Sequence, residues 1–175
     1  MRPLGPFKVL LAGDGGVGKT TLLDAYRLGR FFEHKMTIGL SIASCVVGLP
    51  DGAKAKLIVY DLSGQPRFVQ LLKITPGVLR GADAAILVFD LSEAKTLGVA
   101  KEWAELIRQK NGKIPMVLVG AKADLEPEVL DGEAEEAAKE MEAMAYVKTS
   151  AKLLLNVSEP FKLVAEALAS RTRSL

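Results

Sequence analysis

One short segment constrains this chain more than any other. Gly13-Asp14-Gly15-Gly16-Val17-Gly18-Lys19-Thr20 stands directly behind the apolar run KVLLA at 8–12 and directly before the helix-like stretch TLLDAYRLGR. Closely spaced glycines let successive backbone N–H groups turn inward and form a nest for phosphate oxygens. A helix starting behind them adds its partial positive charge. A lysine then supplies a point charge to terminal phosphates, and a threonine hydroxyl can ligate Mg²⁺. The segment satisfies G-x-x-x-x-G-K-[ST], the phosphate-binding loop. Through Gly13, Gly15 and Gly18 it also satisfies G-x-G-x-x-G, the dinucleotide fingerprint, whose strand–turn–helix context is the same. Two features favour the phosphate loop. The dinucleotide motif does not require Lys-Thr after its last glycine, and no acidic residue ends a second parallel strand where a ribose partner belongs. A glycine-rich turn without a ligand is the bland alternative.

The rest of the chain sets the fold class. Residues 8–12, 84–89 and 115–119 are short, nearly continuous apolar runs, the pattern of strands buried on both faces of a parallel sheet. Between them Leu97, Ala100, Ala104 and Ile107 recur at helical steps, as do Val157, Phe161, Val164, Ala165 and Leu168. Ala134, Ala137, Ala138, Met141 and Met144 suggest a weaker helix. Alternating strands and helices predict an α/β fold with a parallel sheet. The exception is residues 42–48 and 54–60, two β-rich runs joined by Leu49-Pro50-Asp51-Gly52. An Asp-Gly pair in that position predicts a hairpin and one antiparallel edge strand. No repeat, linker or low-complexity segment interrupts residues 1–175, so a single domain is expected.

Composition removes several functions. The formal net charge is +2, which compels no basic face and argues against nucleic-acid binding. One cysteine, Cys45, excludes an internal disulfide framework, and one histidine, His34, excludes a multi-histidine zinc site. No apolar run is long enough to span a membrane, no signal peptide is legible, and neither a myristoylation nor a prenylation motif is present. A cytoplasmic protein without a lipid anchor of its own is the expectation.

A second motif follows the third expected strand. Tyr60-Asp61-Leu62-Ser63-Gly64-Gln65 places an acid at a strand end, suited to holding a metal as a Walker-B aspartate does. A glycine N–H three residues on can meet a γ-phosphate, and a following glutamine can orient an attacking water. With these residues in place the sequence resembles the Ras-like small GTPases over nearly its whole length. GDGGVGKT matches the phosphate loop, Thr37 in MTIG the switch I threonine, and DLSGQ the DxxGQ motif. Ala121-Lys122-Ala123-Asp124 matches the NKxD guanine motif, and Thr149-Ser150-Ala151-Lys152 matches TSAK. The order and spacing are the family's.

The resemblance implies a three-layer nucleotide-hydrolase fold with a six-stranded, mostly parallel sheet, one antiparallel edge strand and about five helices. It implies that Lys19 contacts the β- and γ-phosphates, that Thr20 and Thr37 ligate Mg²⁺, and that Asp61 holds the metal through water. Gly64 would sense the γ-phosphate and Gln65 position the hydrolytic water. Asp124 would pair with the guanine N1 and amino group, the Ala151 N–H would meet O6, and Lys122 and Lys152 would flank the base. Phe31 would pack edge-on against it. Asp14, Gly15, Gly16, Val17, Gly18, Thr21 and Ser150 complete the expected nucleotide-binding set. The implied function is a GTP-binding switch with slow intrinsic hydrolysis to GDP and phosphate. Its implied partners are guanine nucleotide and effector, exchange-factor or activating proteins, through switch I (31–39) and switch II (61–80).

Three departures stand out. Ala121 replaces the family asparagine, whose amide bonds the base N7 and ties this loop to the phosphate loop. Pro66 follows Gln65, as in some Arf-like branches, and stiffens the start of switch II. The stretch 67–83 is longer than in Rab-like members, with 74–77 reading as a turn. Ala121 motivates an alternative, a binding scaffold of the same fold that holds nucleotide weakly; an ATP-using enzyme is a third reading. The remaining singular residues read as structural. Cys45 and Trp103 pack, His34 sits in an exposed loop, the acidic residues from 133 to 142 form a solvated helix face, and Asn156 caps the last helix, whose first turn accommodates Pro160.

Overall fold

The computed structural model describes residues 2–32, 39–62, 64–74 and 76–175. Among these residues the chain runs β1 (Leu4–Gly13), α1 (Lys19–Leu28), β2 (Leu40–Gly48), β3 (Lys54–Leu62), α2 (Pro66–Ile74), β4 (Ala84–Asp90) and α3 (Lys95–Asn111). It continues through β5 (Met116–Ala121), α4 (Asp131–Glu140), β6 (Ala145–Lys148) and α5 (Glu159–Arg173). The strands form one sheet in the order β2-β3-β1-β4-β5-β6. β2 pairs antiparallel with β3, and every other pairing is parallel.

The expected α/β architecture, with its antiparallel edge strand, is therefore present. The Asp-Gly signal reports correctly: Leu49 and Ala53 close the hairpin, Gly52 takes φ 84°, and the Asp51 carboxylate accepts from the Ala53 N–H at 3.0 Å. That turn is also held from outside, because Arg173 of α5 pairs with Asp51 at 2.6 Å. Both side chains are half exposed, so the pair orients the hairpin more than it stabilises it.

Alternation along the central strands builds two cores. Val9, Leu11, Val88 and Val119 face α1 and α5, where Leu22, Phe161, Val164 and Leu168 close over them. Leu10, Ala12, Phe89 and Leu118 face α2, α3 and α4, against Leu72, Trp103, Ile107 and Ala134. Tyr26 of α1 stacks on Phe161 of α5 with ring centroids 4.4 Å apart. Trp103 is 3% exposed, a packed core residue as expected.

Two local expectations are corrected. The periodicity from Ala134 to Met144 overshoots the helix: α4 stops at Glu140, Glu142 adopts φ 55°, and the Met144 N–H already donates to the Met116 carbonyl of β5. Met144 is consequently exposed. Asn156 does not cap the last helix. Ser158 holds the cap position, while Asn156, at φ 54°, turns its amide back to donate to the Lys148 carbonyl at 3.0 Å. Pro160 does sit in the first turn of α5, where its missing N–H costs no helical bond. Of the 74–77 stretch, Ile74 ends α2 and Pro76 opens a 3₁₀ turn that runs to Val78, while Thr75 lies outside the described residues.

The order of the sheet places the chemistry. Strand order reverses at β1, and in open α/β sheets ligands bind outside the carboxyl ends of strands at such a switch point. The ends of β1, β3, β5 and β6 all open there.

Candidate functional site

The loop from β1 into α1 is shaped by close approach. A Cβ on Gly13 would stand 2.1 Å from the Val88 carbonyl oxygen of β4, so the strand can leave the sheet here only as glycine. Gly16 and Gly18 take φ 78° and 101°, values that L side chains rarely adopt. Gly18 is the N-cap of α1 and offers no capping side chain, which leaves the first-turn N–H groups directed at the loop. Lys19 lies inside this loop at 5% exposure. Its Nζ donates to the carbonyls of Gly13 at 3.1 Å and Asp14 at 2.6 Å. Burial pushes its ammonium down to about 8, with the Asp61 and Asp14 carboxylates pulling the other way. Asp14 in turn accepts from the Gly15 N–H at 2.8 Å.

β3 brings the second motif against the first. Asp61, 1% exposed, accepts a hydrogen bond from the Thr20 hydroxyl. Two residues past the strand, a Cβ on Gly64 would fall 2.2 Å from the Gly15 nitrogen and 2.4 Å from the Asp14 carbonyl carbon. Switch II therefore begins in contact with the phosphate loop, and only glycine permits it. Gln65 is half-buried, and its carbonyl starts α2 by accepting from the Val69 N–H at 3.1 Å. Thr37, expected beside these residues, lies outside the described residues, as does His34.

The other wall comes from the ends of β5 and β6. Lys122, at φ 63°, reaches back so that Nζ donates to the Gly16 carbonyl at 2.8 Å and pairs with the Asp90 carboxylate at 2.9 Å. Ser150 Oγ donates to Asp124 Oδ1 at 2.7 Å, and the Ala123 N–H donates to the Thr149 carbonyl at 3.0 Å. These bonds tie the two wall loops together. Ala121 is 5% exposed and presents a methyl group to the cavity.

Together the walls enclose one cleft of about 450 Å³. The loop residues 15–21 floor one end, with Gly64 beside them. Lys122, Asp124, Ala151 and Lys152 line the other, and Phe31 closes the side from beyond α1. Among the described residues Lys19, Lys122 and Lys152 bring cations to the cleft, and Asp124 brings a carboxylate at the end away from the loop amides. Such a space suits a ligand with anionic groups at one end and N–H donors at the other. Asp14, Asp61, Gln65 and Ser150 support the cleft from behind or beside it. Sequence reasoning missed Asp90 and Leu125. Leu125 simply lines the end beside Asp124. The signal for Asp90 was one charge closing the apolar run AAILVF, an acid that burial does not tolerate without a partner.

Comparison with known proteins agrees with this geometry. The Ras family model matches residues 8–170. Over 165 residues the chain is 38% identical to the Ras-related protein Rab5 of Nicotiana tabacum, covering 92% of this chain and 80% of the relative. With sheet order, both loop walls and the match over most of its length in agreement, the chain belongs to the Ras family and is a GTP-binding, GTP-hydrolysing switch protein.

Proposed function

We propose that residues 1–175 are one G domain in which Lys19 and the loop amides of residues 14–18 hold the β- and γ-phosphates while Asp124 pairs with the guanine N1 and amino group. The observation that carries this reading is the polarity of the cleft: amides and Lys19 at one end, the Ser150-oriented Asp124 carboxylate at the other. An ionised carboxylate accepts two N–H donors of guanine and meets no such pair on adenine, which favours GTP over ATP.

Thr20 and Asp61 fit a hard cation. Their oxygens already lie within hydrogen-bond reach of each other, and Mg²⁺ takes few protein oxygens beside substrate phosphates. Thr20 would ligate the ion directly, Asp61 through water, and Thr37 would complete the set. The ion would neutralise charge on the β- and γ-phosphates. Lys19 neutralises charge that develops on the γ-phosphoryl oxygens, the Gly64 N–H meets the same group, and Gln65 orients the water for in-line attack. Hydrolysis without a partner is slow, on the order of 10⁻⁴ to 10⁻² per second, since among the described residues lining the cleft there is no arginine. Binding of GTP would order switch I (31–39) and switch II (61–80), the surfaces read by effector, exchange-factor or activating proteins. The sparing use of cysteine accords with action in the reducing cytoplasm.

Identifying the nucleotide that co-purifies, and competing labelled GTP with ATP, tests this reading. Bound GDP and displacement by GTP alone are expected. Lys19→Ala should abolish binding, and Gln65→Leu should retain binding while suppressing hydrolysis. Equal displacement by ATP would defeat the guanine assignment. The Ala121 methyl favours one rival, a nucleotide-weak scaffold, and a site empty at micromolar GDP would establish it.

A further inference from the structure

The cleft wall contains a buried acid that the nucleotide chemistry does not use. Asp90 ends β4 with its side chain 3% exposed, and its carboxylate is fully engaged. Oδ1 accepts from the Ser92 N–H at 2.8 Å and the Ser92 hydroxyl at 2.6 Å. Oδ2 meets Lys122 Nζ at 2.9 Å. The backbone on either side is fixed as well: the Asp90 N–H donates to Thr96 Oγ1 at 2.8 Å, and the Leu91 N–H donates to the Ala121 carbonyl at 3.0 Å. Asp90 is thus a rigid anchor. Lys122 is not rigid by itself, since a lysine stem has four rotatable bonds and this side chain is 37% exposed. Its ammonium nevertheless reaches the Gly16 carbonyl of the phosphate loop at 2.8 Å, and a Cβ on Gly18 would lie 4.0 Å from its Cε. One ammonium therefore joins three segments: the end of β4, the base-side loop after β5, and the phosphate loop. Ala121, the neighbouring residue of that loop, has no side-chain donor with which to share the task.

We propose that Asp90 is the positioning residue of this nucleotide site, holding Lys122 across the phosphate loop so that the base-side loop and the phosphate loop keep their spacing. The inference rests on the guanine-nucleotide reading above. Asp90 does not touch the ligand; it acts through Lys122, whose alternative rotamers carry the ammonium away from Gly16 and leave the two loops tied by neither residue 121 nor residue 122. Asn in place of Asp90 keeps an oxygen for Ser92 and turns a neutral amide toward the ammonium, removing the attraction with little change of shape.

Fluorescent GDP titration and release rates on the full chain test this. Asp90→Asn should bind GDP about ten- to a hundredfold more weakly, the usual size of a coupling between linked parts of a site. In a Lys122→Met background the same change should add nothing, because the group through which it acts is gone. Adding Ala121→Asn should recover most of the loss by giving the loop a donor again. Parent-like GDP affinity in Asp90→Asn, or losses that simply add in the double variant, would overturn the proposal. Should Asp90→Asn fail to fold by thermal melting, Lys122→Met carries the test, and parent-like GDP affinity there overturns it equally. A parent protein that binds no guanine nucleotide is detected in the first titration and defeats the function reading instead.

Discussion

Ser150 Oγ donates a hydrogen bond to Asp124 Oδ1 at 2.7 Å, joining the loops that follow β5 and β6 at the end of the cleft away from the phosphate loop. Ser150 is fully buried, so its hydroxyl has one fixed direction and the carboxylate one fixed plane. Ser150→Ala removes that restraint without touching the ligand. GDP affinity should fall about ten- to a hundredfold, the worth of one hydrogen bond to a charged group. Titration calorimetry checks it, and unchanged affinity would show that Asp124 is oriented by other contacts.

Lys19 predicts a pH dependence. Burial lowers its folded-state value from 10.5 to about 8, so between those pH values the unfolded chain binds more protons than the folded one. Stability of the nucleotide-free protein should therefore gain a contribution as pH rises through that window. Phosphate oxygens reverse the preference by favouring the ammonium. GDP binding near the upper part of the window should take up a proton and weaken as pH rises. Calorimetry in buffers of differing ionisation enthalpy measures that uptake, and none at all would refute the assignment of Lys19 to the phosphates.

Gly64 cannot carry a side chain where it stands, because a Cβ would lie 2.2 Å from the Gly15 nitrogen. Gly64→Ala must push the start of switch II off the phosphate loop and carry Gln65 with it. Single-turnover hydrolysis should slow about a hundredfold, as for a misplaced positioning group, while GDP affinity changes far less. Parent-like turnover would place the attacking water elsewhere.

Ala121→Asn converts a methyl facing the cleft into an amide donor. GDP affinity should rise about tenfold for one added hydrogen bond. The base analogue 7-deaza-GDP identifies the bond. The parent should bind it as well as GDP, whereas the variant should prefer GDP. A parent that discriminates against the analogue would mean that another group reads N7.

Phe161 is fully buried and stacks on Tyr26, locking α5 to α1 beneath the phosphate loop. Phe161→Ala should cost about 3–5 kcal/mol, the range for deleting a core phenyl ring. Urea unfolding measures the loss. A cost below 1 kcal/mol would indicate that the α1–α5 core collapses around the gap.

Local patterns determined much of this protein before any long-range contact formed. The glycine spacing ahead of Lys19, the apolar strand runs, the helical periodicities and the Asp51-Gly52 turn each depend on neighbours a few residues apart. They are legible because period and turn chemistry are properties of the chain itself. They also show where such reading stops. Asn156 looked like a cap because its residue type suits one, but the helix begins later and the nearby Lys148 carbonyl claimed its amide. Only the folded sheet decided that Asp90, Lys122 and Gly16 meet, that Gly64 rests on Gly15, and that Ser150 aims Asp124. Each of those contacts joins residues brought together by strand order, and strand order is set by which buried faces close two cores at once, a condition no local window of sequence contains.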